Sequence, residues 1–351
     1  MAEQIIKKLP VGNPLAFGYQ FFAYPLAIQA TDVRTTDWVL SNFIQVEYDR
    51  RGQECDVPFS FYLYDYALSP WLETVRGTRL WYSTQDMTDV VRAALARGYY
   101  AYLIVDEFHI PMRQRFAVER FPHDILVHGV DDASGTFDVL GYDQRMQFRS
   151  TRVTQAQFRA AHRSLDDQGV EHSPVVFYRL RDKPDFGYPP IRYDFNLGLV
   201  RRTIDEYLRS IDTSRHFESL REPRDCAYGV ESYGPLETFL RQYAAGRAAY
   251  DVRHVHVLWE HKKLMSLRVR RIADLVGPLD DLTAEVDRAE AYAEGLRNSM
   301  IRNHLQGGRA GFLDSALRTL ENLRTEEERT LCRLLQRLPD EDVLLPLTPV
   351  P

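Results

Sequence analysis

A chain of 351 residues, 44% apolar and 27% charged, is long enough for two packed units and has the composition of an ordinary folded protein. A formal net charge of −6 and a pI near 6.0 leave no electrostatic footprint for nucleic acid or an anionic membrane as partner. The start MAEQIIKKLPVGNP lacks the apolar core of a secretory leader, no stretch reaches the roughly 20 apolar residues of a membrane span, and Cys55, Cys226 and Cys332 lie too far apart for a zinc or disulfide framework, so the expected compartment is the cytoplasm.

In chain order, QFFAYPLAIQA reads as an apolar helix over residues 20–30, with Pro25 near its first turn. Two runs with strand character follow, Asn42 to Tyr48 and Pro58 to Asp65, separated by the charged turn DRRGQECD. From Ser83, STQDMTDVVRAALARG gives a capped start, an apolar stripe at Val90, Val91, Ala94 and Leu95, and Gly98 as a stop. The continuous apolar run YYAYLIVD predicts a strand buried on both faces and ending at Asp106. Beyond EFHIPMRQRFAVERFP, the runs HDILVHGVDD and TFDVLGYD predict an antiparallel hairpin turning at Ala133 to Gly135, with His123 and Asp143 near opposite ends.

Helical periodicity governs the second half. One stripe runs through Leu197, Val200, Ile204, Tyr207, Leu208 and Ile211, and another through Leu236, Phe239, Leu240 and Tyr243. Long helices are predicted from Val252 to Leu275, from Leu279 to Gln306 and from Phe312 to Leu338, and their short joints argue for an antiparallel bundle. The proline-rich RLRDKPDFGYPPIRYD is the expected joint, dividing an α+β domain at 1–182 from a helical domain at 183–351, and LLPLTPVP is expected to fray or dock in extended form.

His123 and Asp143, 143 − 123 = 20 residues apart on two predicted strands, have the order in which a hydrolase or acyltransferase orients a histidine base. The runs VDEFHIP, FPHDILVHGVDDASGTFDVLGYD and VTQAQFRAA resemble the N-terminal domain of the butirosin biosynthesis protein H family, which has a C39-peptidase-like, papain-type fold. The similarity extends more weakly into YGVESYGPLETFLRQY and DVRHVHVLWEHKKLM. The resemblance implies acyl transfer from a carrier protein to an amine through a cysteine acyl-enzyme. Carried across, His123 is the base, Asp143 its orienting partner, and Asp106 opens the loop that ends at Pro111. The nucleophile does not carry across. Where the family opens its first helix with cysteine, GYQFFAYPLAI places Ala23 or Tyr24, while Gln20 is a candidate oxyanion donor and Tyr24, Glu107 and His109 candidate cleft residues.

The expectation is therefore natural-product biosynthesis on a carrier-bound acyl or peptidyl thioester, by acyl transfer, cyclisation or hydrolysis, with a histidine base, no thiolate and no cofactor. The rival is a catalytically inactive papain-like module that docks a carrier protein or an assembly-line partner. Plain structural association through the helical half is the third reading, and a second copy of the chain, as a homodimer, is a further candidate partner. Lys262, Lys263, Arg268, Arg270 and Arg271 form the candidate docking stripe for an acidic carrier. His254, His256, Glu260 and His261 have spacing that could serve either a metal or a polar seam.

Overall fold

The computed structural model describes residues 4–63, 69–182, 193–216, 224–308 and 311–339. The proline-rich joint at 183–192 and the C-terminal tail lie outside these. In chain order the elements are β1 (Ile6–Lys8), α1 (Gln20–Gln29), α2 (Thr36–Asn42), β2 (Val46–Asp49), β3 (Phe59–Phe61), β4 (Leu72–Thr78), α3 (Met87–Ala96), β5 (Tyr100–Asp106), β6 (Pro122–Asp131) and β7 (Thr136–Tyr142). They continue with β8 (Phe148–Thr154), α4 (Gln155–Arg163), β9 (Pro174–Leu180), α5 (Leu197–Leu208), β10 (Cys226–Tyr228), α6 (Tyr233–Ala244), α7 (Arg253–Val276), α8 (Asp280–Leu305) and α9 (Phe312–Arg337). Among the described residues no helix is long and apolar enough to cross a membrane.

The class is α+β, with an antiparallel sheet early and a helical region late. Contacts divide the chain into residues 1–35 with 66–192, and residues 36–65 with 193–351. This corrects the expected boundary: residues 36–65 belong to the second unit, because β2 pairs with both β3 and β10.

In the first unit the strands run β4-β9-β5-β6-β7-β8, every pair antiparallel, and β1 also pairs with β6. YYAYLIVD is the central strand that its unbroken apolarity predicts, because helices cover both faces. Val91 and Leu95 of α3 with Phe158 and Ala161 of α4 pack on Leu103, Val105, Ile125 and Val127. Tyr24, Ala27 and Ile28 of α1 pack on Tyr100, Leu126, Leu140 and Val176 across the sheet. Helix α1 is buried almost all round, and Pro25 falls at its sixth residue instead of its first turn.

Asp132, at the β6–β7 turn, ties three elements together. It accepts from Ile5 N–H at 2.8 Å, from Arg92 Nη2 at 2.5 Å and from Gln155 Nε2 at 2.9 Å. The Arg92 bond outweighs burial and holds its carboxyl at about 2. A folded-state pKa below the unfolded value means that this stability is present above the unfolded pKa and is lost as pH falls through about 2. Asp132→Asn should therefore cost on the order of 1 kcal/mol at pH 7, because Arg92 partly meets solvent, and should flatten the loss of Tm between pH 4 and 2. An unchanged acid limb would assign that loss to other carboxylates.

In the second unit α7, α8 and α9 run antiparallel, as cross-helix pairs record: Arg270 with Asp287 and Arg297 with His256 between α7 and α8, and Arg288 with Glu326 and Arg333 with Asp281 between α8 and α9. The basic stripe of α7 is only partly a surface. Lys262 is buried against Glu327, Arg270 and Arg271 pair with Asp287 and Asp37, and Lys263 lies over Trp259. Arg268 is wholly buried and donates to Leu40 O and Phe43 O, each at 2.6 Å, so it caps the C-terminus of α2. Lys263, Arg270 and Arg271 keep part of their side chains in solvent, so only Lys262 and Arg268 leave the candidate docking stripe.

Candidate functional site

Strand β6 brings His123 opposite Val105 of β5, with its side chain 39% exposed. Continuing the Leu126–Leu140 register would set Asp143 opposite His123 (126 + 140 = 123 + 143), as the hairpin pattern implies. The β6–β7 pairing stops at Leu126–Leu140, and two side chains replace it. Gln20, the first residue of α1, accepts from Tyr142 N–H through Oε1 at 2.9 Å and donates through Nε2 to Asp124 Oδ1 at 2.6 Å. Arg113 is buried and donates to Leu140 O at 3.0 Å and to Tyr142 O. Gly141 makes room for both: a Cβ there would stand 2.5 Å from Gln20 Oε1 and 2.6 Å from an Arg113 nitrogen, at a φ of +149° that other residues avoid.

The Tyr142 N–H requires an oxygen as its acceptor, which fixes the Gln20 amide and leaves Nε2 as the donor. That nitrogen also reaches His123 Nδ1 at 2.9 Å and Asp124 O at 3.2 Å. Of its two protons one goes to the Asp124 carboxylate, and the shorter remaining contact is to Nδ1. His123 thus accepts at Nδ1 and, when neutral, carries its proton on Nε2, so its outer edge is a hydrogen-bond donor. Phe121 stacks on the imidazole at 5.3 Å and Arg115 covers Phe121 at 5.5 Å, which fixes the ring plane.

Two carboxylates flank Nδ1, Asp124 Oδ1 at 3.2 Å and Glu107 Oε1 at 3.5 Å. Burial raises both above the ordinary range, opposed in each case by His123 and Arg113. Tyr24 lies beneath them, wholly buried, its hydroxyl donating to Asp124 O at 3.2 Å, and burial pushes its pKa well up. Tyr102 donates more loosely to Asp124 Oδ2 at 3.4 Å. Gln20, Tyr24, Glu107 and His123 are therefore gathered as the sequence implies, while Asp124 and Arg113 join them unforeseen.

Neither Asp143, the predicted orienting partner, nor Asp106, at the start of the 107–121 loop, bonds His123. Asp143 closes the β7–β8 turn, accepting from Arg145 N–H at 2.8 Å, Gln147 N–H at 3.0 Å and Arg149 Nε at 2.5 Å. Asp106 accepts from Phe108 N–H, Phe121 N–H, Ser164 Oγ, Gln168 Nε2 and Arg120 Nε. Burial would raise it, but these bonds hold it at about 2, as an anchor of the 107–121 loop. His109 packs edge-on against Phe108 at 5.1 Å.

No protein-family model matches the chain, and no curated protein matches it.

The first-turn side chain of α1 that touches Nδ1 is Gln20, not Ala23 or Tyr24, and its amide is too fully engaged to serve as an oxyanion donor. All three cysteines belong to the second unit. There too the histidines of α7 turn to separate partners: His254 to Tyr48 Oη at 2.8 Å, His256 to Glu260 at 3.2 Å and to Arg297, and His261 to Ile44 O at 2.9 Å. Among the described residues no three such ligands gather to hold a metal ion.

Proposed function

We propose that the first unit is a papain-like module of the butirosin protein H kind that has exchanged covalent chemistry for recognition, docking an acyl or peptidyl carrier protein in natural-product biosynthesis. One observation carries this reading: a primary amide stands at the first turn of α1 against His123 Nδ1, where a thiol nucleophile would stand, and it donates to the atom that would have to take the proton. An amide is no nucleophile at neutral pH, and a histidine whose Nδ1 already accepts a hydrogen bond offers its exposed edge as a donor. Such an edge suits a carbonyl or phosphate oxygen better than an acidic proton.

The second reading, acyl transfer, cyclisation or hydrolysis with His123 as base and no thiolate, is favoured by Glu107 and Asp124 beside Nδ1. Were Nδ1–H to turn to either carboxylate, Nε2 would become a base oriented as in an acid–base dyad.

Turnover of a carrier-bound thioester separates the two. Under the binding reading, the parent and His123→Ala both stay within a few fold of the uncatalysed rate, and only carrier affinity changes. Turnover about 10² to 10⁴ above background, abolished by His123→Ala but retained when Cys55, Cys226 and Cys332 are all Ser, would establish the base-catalysed reading instead.

A further inference from the structure

We infer that the 107–121 loop and the β7–β8 turn together form a docking platform for an acidic amphipathic helix; the choice of a carrier protein as its bearer rests on the reading above. The two segments are joined where Gln144 N–H donates to Met112 O at 2.7 Å and where Arg113 bonds Tyr142 O. They carry Met112, Phe116, Val118, Phe121 and Met146, each more than a third exposed. Large apolar side chains gathered on one loop pair and left in solvent mark an interaction surface more often than a packing error. Phe121, stacked on His123, makes this platform continuous with the candidate site.

The backbone carries a second sign. Among the described residues four non-glycine residues have positive φ, and three lie here: Met112 at 66°, Ala117 at 55° and Met146 at 57°. Holding a methionine in the left-handed region costs on the order of 1 kcal/mol. That cost is borne at two positions that turn a soft, adaptable apolar side chain outward, which is the use methionine finds at binding surfaces.

Charge decides the kind of partner. Arg120 and Arg149 are nearly half exposed while their carboxylate partners, Asp106 and Asp143, are buried, so these pairs turn their positive ends outward. Arg145 is exposed beside them, and Arg115 and Glu119 neutralise one another. The rim is therefore basic and the centre apolar, which complements acidic residues flanking an apolar stripe. The loop backbone is already satisfied, with Glu107, Arg113, Phe116 and Ala117 N–H groups all bonded within it. Strand addition has little to bind, and recognition falls to side chains on a helix face.

The test uses the full chain and a purified holo acyl carrier domain of acidic net charge, titrated by calorimetry at about 50 and 500 mM salt. Met112→Asn with Met146→Asn removes the apolar centre while installing a residue that tolerates positive φ, so Tm should hold or rise. The expected result is a tenfold or greater loss of affinity in this double variant, a similar loss in Arg145→Glu with Arg149→Glu, and weaker binding of the parent at high salt. Because Arg149 also holds Asp143, Arg145→Glu alone must show part of the loss. Parent-like affinity in both the Asn pair and Arg145→Glu would overturn the platform and leave the reading of His123 standing. A parent that binds no carrier domain at either salt concentration would overturn both.

Discussion

Replacing Glu327 by Ala should cost about 3–5 kcal/mol of stability, because it strands a lysine in the helical unit. Lys262 Nζ lies 2.6 and 2.7 Å from the two Glu327 oxygens, and both side chains are almost wholly buried. Tyr207 and Tyr233 hydroxyls each donate to Glu327 Oε2 at 2.8 Å. His261 donates from Nε2 to Ile44 O at 2.9 Å, which leaves Nδ1 to accept from Lys262 at 3.0 Å. Burial holds that imidazole well below its ordinary pKa, so it stays neutral, and burial likewise lowers Lys262, against the pull of Glu327. Removing the carboxylate leaves the lysine without a counter-ion, holding only the neutral His261 Nδ1 and Tyr207 Oη, and leaves two hydroxyls without their acceptor. The pair as a whole need not be worth that much: Lys262→Met with Glu327→Leu should recover most of the loss. Urea unfolding followed by far-UV circular dichroism gives both numbers. A cost below about 1 kcal/mol for Glu327→Ala would mean that water readily enters beside Lys262.

Such a network explains which parts of this fold a sequence displays. YYAYLIVD, the hairpin strands on either side of Ala133 and the long helices α7 to α9 announce themselves because each obeys one local period throughout. Strands β4 and β8 do not, since each lies at an edge of the sheet with much of its length exposed, so LETVRGT and FRSTRVT lack a full apolar alternation. The membership of residues 36–65 is hidden for another reason. Their partner strand β10 lies 226 − 49 = 177 residues on, and no local pattern records a pairing across that distance. Lys262 and Arg268 look like a solvated stripe for the same cause, because the groups that neutralise or cap them, Glu327, Leu40 O and Phe43 O, are remote in sequence.

At the candidate site the strand pattern set His123 near the end of a sheet strand, while Gln20 and Tyr24 were named through the resemblance and not through any period of the sequence. Pairing His123 with Asp143 failed on chemistry that spacing does not encode. A turn of the form Asp-Gln-Arg-Met-Gln offers its aspartate two backbone N–H groups within four residues, and local bonds of this kind win over a partner across the sheet. Asp124 was legible only in part. Alternation puts it on the α1 face with Leu126, but its burial beside a glutamine amide depends on α1, about a hundred residues earlier.

Gln20→Glu should be the most informative single change, because it alters one atom pair without opening a cavity. The new carboxylate would replace a donor lying 2.6 Å from Asp124 Oδ1 and 2.9 Å from His123 Nδ1. With Glu107 also close to Nδ1, three carboxylates would crowd one imidazole in a largely buried setting. Like charges so placed cannot all ionise, and the folded state must hold an extra proton, either between two carboxyls or on His123. A native state that binds more protons than the unfolded chain loses stability as pH rises. The variant should therefore fall about 2–4 kcal/mol below the parent at pH 8 and come within about 1 kcal/mol of it near pH 5, as measured by urea unfolding at the two pH values. A Gln20→Glu variant as stable as the parent at pH 8 would mean that the amide does not donate to Nδ1. His123 would then be free to take its proton on Nδ1 and act as a base at Nε2, and the binding reading of this site would give way to the catalytic one.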